Sequence, residues 1–274
     1  SLPGHARTPG PGLDGKGHLR ENACSILMEV FYAARMTRWE LLFGISIMTR
    51  FLTKWTAAQD KMLNRLVSYS YFHLDDCLTG YVGEREKGFF LGTHVDADHG
   101  GDLTDVRATS GAAVVLQGPK TFFPFAVICK KQTSNSNGST ESETVALSHV
   151  LRQEGLPILQ LWEMLLGRGV KMESYEDNQG TIDVIGNGYS PALRHLLQTQ
   201  KCSIDLLHHI VHEKNFAEIV KVATSDQVAD VFTKSLGGPA WDRVLAMLHV
   251  ERGVALRDAA QANFCSFRFS PNKF

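Results

Sequence analysis

Apolar positions fall first at three- and four-residue spacing and later in short unbroken runs, so the period along the chain changes from helical to extended. The helical spacing runs through Cys24–Met36, Trp39–Leu52 and Ala57–Phe72, where Leu63, Leu66 and Val67 are one example, and it predicts three helices. The stretch 75–87 is polar, contains glycine and reads as a boundary. Three apolar runs follow, Gly88–Val95 (GFFLGTHV), Gly111–Leu116 (GAAVVL) and Phe122–Cys129 (FFPFAVIC). Bounded by Gly, Pro and Lys, they predict three successive strands. A polar stretch at 132–140 feeds a long helical pattern from about Glu141 to Leu166. Then come a strand at Lys171–Tyr175, a helix from about Gln179, a helix at Ile204–Phe216, an alternating strand at Glu218–Val222, and a helix capped by Ser225 that runs to Lys234. Three strands, helix, strand, helices, strand and helix make an α/β layer fold with a mixed sheet.

The ends of the chain differ from this middle. The first eighteen residues hold five glycines and three prolines with little to bury, so 1–20 reads as a flexible leader. From Trp241 onward a short amphipathic helix precedes a basic, Phe-containing tail. The divisions expected are a leader 1–20, a helical segment 21–87, an α/β domain 88–237, and a C-terminal helix and tail 238–274. The start lacks both an initiator Met and a basic-then-apolar signal segment, so the chain reads as a piece of a longer product.

Composition narrows the function. At 43% apolar and 21% charged, the chain has the make-up of a globular protein rather than a disordered one. The longest apolar run, Leu41–Met48, is far short of the roughly 20 residues a membrane helix needs. With 28 Lys and Arg against 29 Asp and Glu, any nucleic-acid partner must be met by a local basic surface. Five scattered cysteines, never spaced as CxxC, fit neither a disulfide framework nor a zinc ribbon. They suit a reducing compartment, and the expected location is intracellular, in cytoplasm or nucleus, without membrane attachment.

Four acidic blocks stand at element ends: VDAD (95–98), ESE (141–143), EDN (176–178) and DQVAD (226–230). Singly, such acids solvate loops or cap helices. Jointly, they sit where strand ends of an α/β sheet converge on a ligand. Clustered carboxylates repel unless a cation neutralises them, and all-oxygen ligation selects Mg²⁺ or Mn²⁺ over zinc. Two such ions about 3.5–4 Å apart can activate water and stabilise a leaving oxygen in phosphodiester cleavage.

The blocks THVDADHGGDLTDVRATSG (93–111), KKQ (130–132), STESETVALS (139–148), YEDNQGTID (175–183) and DQVADVFTKSL (226–236) resemble the ribonuclease H domain of copia-type retrotransposon Pol polyproteins. The run RMTRWELLFGISIMTRF (35–51) resembles the connection segment that precedes this domain in that reverse transcriptase family. The collinear resemblance covers roughly residues 30–237. It implies a ribonuclease H-like mixed five-stranded sheet flanked by helices, cutting the RNA strand of RNA–DNA hybrids with two divalent ions, Mg²⁺ or Mn²⁺. Carried over block by block, the catalytic and metal-binding acids are Asp96, Glu143, Asp177 and Asp230. The implied partners are the hybrid and an N-terminal polymerase domain of the parent polyprotein. The chain departs from the family at His99, where an aromatic is usual, and at QKCSID (200–205), where a Thr-Lys-His-Ile motif is usual. A catalytically impaired remnant that only binds hybrids stays open beside the nuclease.

Glu141 and Glu143 compete for the helix position. Two residues apart, they point about 200° away from each other, so both cannot face the same metals. Three, four and seven steps from Glu143 lead to Ala146, Leu147 and Val150, all apolar, whereas Glu141 leads to Thr144, Val145 and Ser148. Glu143 therefore heads the packing stripe, and Glu141 is expected to face solvent. Candidate phosphate-tracking residues are Lys130, Lys131, Arg152, Arg194 and Lys201. Two other signals are set aside. Leu74-Asp75-Asp76 lacks the strand-flanked hairpin of a polymerase palm, and His208, His209 and His212 lack further zinc ligands, leaving a solvated or hybrid-facing helix surface.

Overall fold

The computed structural model describes residues 15–83, 88–99 and 107–253. The leader up to residue 14, the tail from 254, and positions 84–87 and 100–106 inside the first expectations lie outside the described residues. Three helices open the fold: α1 (Ala23–Thr37), α2 (Leu42–Thr49) after a 3-10 turn at Trp39–Leu41, and α3 (Ala57–Phe72). Two short strands follow, β1 (Cys77–Leu78) and β2 (Tyr81–Val82). The long antiparallel strands are β3 (Phe90–Asp98), β4 (Thr109–Gly118) and β5 (Thr121–Lys131). Next come α4 (Ser139–Val150), α5 (Leu156–Leu166), β6 (Lys171–Glu176), α6 (Gln179–Asn187), α7 (Leu196–Thr199), α8 (Ile204–His208), β7 (Ala217–Lys221), α9 (Pro239–Met247) and β8 (Val250–Glu251).

The main sheet has the order β2-β5-β4-β3-β6-β7, antiparallel from β2 to β3 and parallel from β3 to β7. It is mixed, as the element order predicts, but among the described residues it has six strands and not five. The extra edge strand β2 is two residues long, too short to carry a period-2 signal. The same reason hides the small β1–β8 sheet.

Both faces of β4 are covered, which explains its unbroken apolar run. Ala112 and Val114 enter one core with α4, Met172 and Leu207, while Ala113 and Val115 enter the other with α1–α3 and α9. The N-terminal helices therefore cover one sheet face. Thr56 and Gln59 form a capping box that starts α3. Buried Asp60 accepts hydrogen bonds from His18 N at 2.6 Å, Leu19 N at 3.2 Å and Trp55 Nε1 at 2.7 Å. Those bonds pin residues that the glycine content assigned to a leader; composition does not register a buried carboxylate waiting elsewhere in the chain.

Two long helical patterns are interrupted by π turns, at Leu151–Gly155 and at His209–Glu213. Pro157 stands in the first turn of α5 and has no N–H to give back to the preceding turn, so the widened backbone there follows from its chemistry. The helix expected from Ser225 is two 3-10 turns, Thr224–Asp226 and Val228–Phe232.

Candidate active site

The site is assembled at the end of β3. Val95 and Ala97 enter the α4-side core, so the alternating Asp96 points to the opposite side of the strand. Its antiparallel partner across the ladder is Gly111. A Cβ on Gly111 would stand 2.5 Å from Thr233 Cγ2 and 2.8 Å from Phe232 Cβ. The bare backbone at Gly111 thus lets the Val228–Phe232 turn lie against β4 and bring Asp230, Thr233 and Lys234 onto Asp96. Gln227 fixes the same turn. Its side-chain amide donates to Val95 O at 2.8 Å and Tyr175 O at 3.3 Å, bridging the ends of β3 and β6.

Asp177 follows the last residue of β6, beside β3 in parallel register. Glu143 comes from α4, which packs on β3. Asp96, Glu143 and Asp177 each offer an oxygen, and these atoms all lie within 4.8 Å of one another. Asp230 is tied in through Lys234, whose Nζ is 2.6 Å from Asp230 Oδ1 and 3.1 Å from Asp96 Oδ1. Thr233 Oγ1 donates to Asp96 Oδ2. A fifth acid, Glu176, is fully buried beside them and accepts from Asn178 N at 3.0 Å.

This concentration of acid is electrostatically costly. Burial, then repulsion from Asp96, Glu176 and Asp177, pushes the Glu143 carboxyl far above its ordinary range, with Lys234 acting the other way. Glu176 is raised by burial and by Asp177 and Asp96, against the Asn178 amide. Asp230 is pushed up to about 6, by burial first and Asp96 next, with Lys234 opposing. Lys234 is raised: burial disfavours its charge, but Asp96 and Asp230 outweigh that. Glu143 Oε2 and Glu176 Oε2 are buried without a hydrogen-bond partner. Buried polar atoms are rarely left so, and an orphaned carboxylate oxygen facing other carboxylates fits a cation. The donors are all oxygen, which suits Mg²⁺ or Mn²⁺.

Glu141 departs from expectation. It is only 3% exposed, accepts from Asn137 N at 3.0 Å and pairs with His195 Nε2 at 3.0 Å. The angular separation from Glu143 stands, since Glu141 reaches the 137 loop and α7 side, but the face is not solvated. Every residue from Glu141 to Ser148 is buried, because the 195–202 segment and α6 cover the second face of α4. A single-stripe reading of one helix cannot see that second layer.

Of the five basic candidates, the structure brings four together. Lys130, Lys131, Arg152 and Lys201 line a cavity of about 200 Å³ with Gln132 and His149, while Arg194 is exposed elsewhere. Arg152 Nη1 donates to Lys201 O at 2.9 Å, and Lys201 has φ +55°, an unusual value for a residue with a side chain. His149 is held below its ordinary pKa by burial, then by Lys130 and Arg152, so the cavity concentrates positive charge. The cavity and the acidic centre share α4 and β4. The polar loop 132–140 is stitched inward: Gln132 Nε2 donates to Ser110 Oγ and Ser142 O, and Gln200 and Thr199 bond Ser134.

Sequence reasoning missed Glu176, Gln227, Thr233 and Lys234, although each lies inside a quoted block. Their signal was adjacency to a candidate acid, which alone does not tell a buried partner from a surface neighbour. His208 does not make a metal site here; its Nδ1 lies 2.9 Å from Ile185 O and its ring packs over Gly188. Asp76 of the discarded Leu-Asp-Asp run is buried, accepts from Gly253 N and contacts His73.

No protein-family model matches the chain. Among solved structures, it is similar to LC11-RNase H1, isolated from compost by a metagenomic approach. The match is 14% identical, covers 53% of this chain and 92% of that one, and has a TM-score of 0.32. A TM-score of that size carries neither fold nor function from one chain to the other.

Proposed function

We propose that this chain is a metal-dependent endoribonuclease of the ribonuclease H type, cutting the RNA strand of RNA–DNA hybrids. The observation that carries the reading is the triad of oxygens from buried Asp96 and Glu143 and half-buried Asp177, all within 4.8 Å, with Glu143 Oε2 lacking a partner. Asp230, joined to Asp96 through Lys234, completes a four-acid set. The order of strands in the mixed sheet, with acids leaving β3 and β6 and α4 crossing β3, agrees with a ribonuclease H-like fold. The resemblance of the five sequence blocks supports an origin in a copia-type reverse transcriptase polyprotein, with a polymerase domain as its natural neighbour.

Bound divalent ions, two in this reading, would supply activated water and charge stabilisation at the leaving oxygen. Asp96, Glu143, Asp177 and Asp230 would hold them. The chain's own contribution is positional. Thr233 orients the Asp96 carboxylate, Gln227 locks the ends of β3 and β6, and the bare Gly111 admits the turn carrying Asp230. The Lys130–Lys131–Arg152–Lys201 cavity would take backbone phosphate, a contact that positions a duplex without reading its sequence.

A substrate panel tests this: an end-labelled RNA–DNA hybrid, duplex RNA and duplex DNA, each with Mg²⁺ or Mn²⁺ and with excess chelator. Cleavage of the hybrid's RNA strand alone, lost in chelator, is expected. Equal cutting of duplex DNA would change the substrate class. Hybrid binding without cleavage at any metal concentration would leave a binding module.

A further inference from the structure

The acidic centre is not uniform. On one side, Asp96, Glu143 and Asp177 face each other, and among the described residues no basic side chain makes an ion pair with Glu143 or Asp177. On the other, Asp96 and Asp230 are bridged by one ammonium, Lys234 Nζ, at 3.1 and 2.6 Å. Asp96 belongs to both sides. Its Oδ1 takes Lys234 and its Oδ2 takes Thr233, from consecutive residues of one segment. Lys234 sits four residues after Asp230, and its side chain is 34% exposed. An ammonium on a flexible four-carbon stem with a route to water can leave its partners without disturbing the backbone.

We propose that Lys234 is a tethered cation that holds the Asp96–Asp230 side closed, so that a divalent ion enters between Asp96, Glu143 and Asp177 first, and a second enters only by displacing Lys234. The proposal rests on the metal-dependent reading above and adds an order of loading to it. Three observations support it. Glu143, only 5% exposed, has an unpartnered Oε2 and offers a carboxylate oxygen within 4.8 Å of those of Asp96 and Asp177, so one cation position stands ready. The other side already holds a positive charge at ion-pair distance from two carboxylates, and a second cation there would meet that charge. Finally, the competing groups are unequal. A divalent ion brings twice the charge of the ammonium, but it must shed water to reach a site already neutralised. The consequence is a switch-like dependence on metal: one ion at low concentration, and the full set only when the lysine swings out. Lys234 is thus a positioning residue for the second ion.

A purely structural ion pair makes the opposite forecast. If Lys234 only braced the 3-10 turn, removing it would loosen Asp230 and weaken metal binding. The two are separated by counting ions. The full chain is stripped of metal and titrated with Mn²⁺, free ion being read by its paramagnetic resonance signal, for the wild type, Lys234→Met, Lys234→Gln, Lys234→Arg and Asp230→Asn. Melting curves establish that each variant is folded. The wild type is expected to bind one ion, with a second weaker by about tenfold or more. In Lys234→Met and Lys234→Gln the second Kd should fall by about tenfold, Lys234→Arg should keep the wild-type split, and Asp230→Asn should bind one ion only. Two equal sites in the wild type, or a second site unchanged or weakened in both folded neutral variants, would overturn the role of Lys234 and leave the metal centre standing. No Mn²⁺ bound by any variant would overturn both readings.

Discussion

Two clusters of buried and half-buried acids can be compared, one around Glu40 and one at the end of β3, and they are neutralised differently. Below the sheet, Glu40 is fully buried but has Arg38 Nε at 2.6 Å, and Arg38 Nη1 also donates to His73 O at 2.8 Å. Asp76 nearby contacts His73 Nδ1 at 3.0 Å and accepts from Gly253 N. This node ties the Trp39–Leu41 turn to the exit of α3 and to the C-terminal strand. At the end of β3, five acids, Asp96, Glu143, Glu176, Asp177 and Asp230, have one ammonium in ion-pair contact among the described residues. Both groups keep an orphaned oxygen, Glu40 Oε2 in one and Glu143 Oε2 in the other, so an unmet hydrogen bond does not distinguish them. The counter-ion does. The Glu40 carboxylate has its own guanidinium, and the excess of carboxyl groups over cations at the end of β3 points to a cation supplied from outside.

The largest difference between the two clusters is expected in activity. Glu143→Gln should bring hybrid cleavage down to background, because it removes a ligand charge and leaves the shape. Glu141→Gln should retain most of it, since Glu141 serves the 137 loop and His195 and lies outside the triad. Its lost charge should appear instead as about 1–3 kcal/mol of stability, read by denaturant unfolding. A dead Glu141→Gln beside an active Glu143→Gln would exchange their roles.

Stability should split the two groups in opposite directions. Arg38→Met leaves Glu40 buried and uncompensated and should cost about 3–5 kcal/mol. Glu143→Gln in the metal-free protein relieves repulsion and should be neutral or add about 1–2 kcal/mol near pH 8. Chemical denaturation of both variants, without metal, measures the difference. Loss of stability in both would mean that the acidic centre is as internally paired as the Arg38 node.

A smaller effect follows with pH. Glu143, Glu176 and Asp230 all have folded-state pKa values above their ordinary ones, Asp230 at about 6. For a raised acid the folded state binds more protons than the unfolded state, so its contribution to stability falls as pH rises from the ordinary carboxylate value through the folded one. The melting temperature of Glu143→Gln relative to wild type, both metal-free, should therefore increase from pH 5 to pH 8, by roughly 2–4 °C for each kcal/mol of relief. A difference that stays flat would show that Glu143 is already charged and compensated.

Much of the sheet was legible from its apolar runs. GAAVVL lies in β4, which is covered on both faces, the largely half-buried FFPFAVIC lies in β5, and Gly88–Val95, Lys171–Tyr175 and Glu218–Val222 fall on β3, β6 and β7 with ends displaced by a few residues. The turn bearing Asp230 was read as a helix, because apolar spacing does not separate successive 3-10 turns from one α-helix. The acids Asp96, Glu143 and Asp177, named from their blocks, are brought together by strand adjacency and α4. What stayed hidden is made by distant contacts. Gln227 matters because it spans two strand ends, Gly111 because Phe232 lies over it, and Glu141 is buried because His195 arrives from 54 residues away. None of these partners is implied by local periodicity.

The most direct test of the central claim is the initial rate of RNA-strand cleavage in a labelled RNA–DNA hybrid, measured as Mg²⁺ is raised from excess chelator, for wild type and Asp177→Asn. The wild type should be silent in chelator and gain activity saturably with Mg²⁺, while a folded Asp177→Asn stays at background throughout. Robust cleavage in chelator, or comparable turnover by Asp177→Asn, would contradict the account.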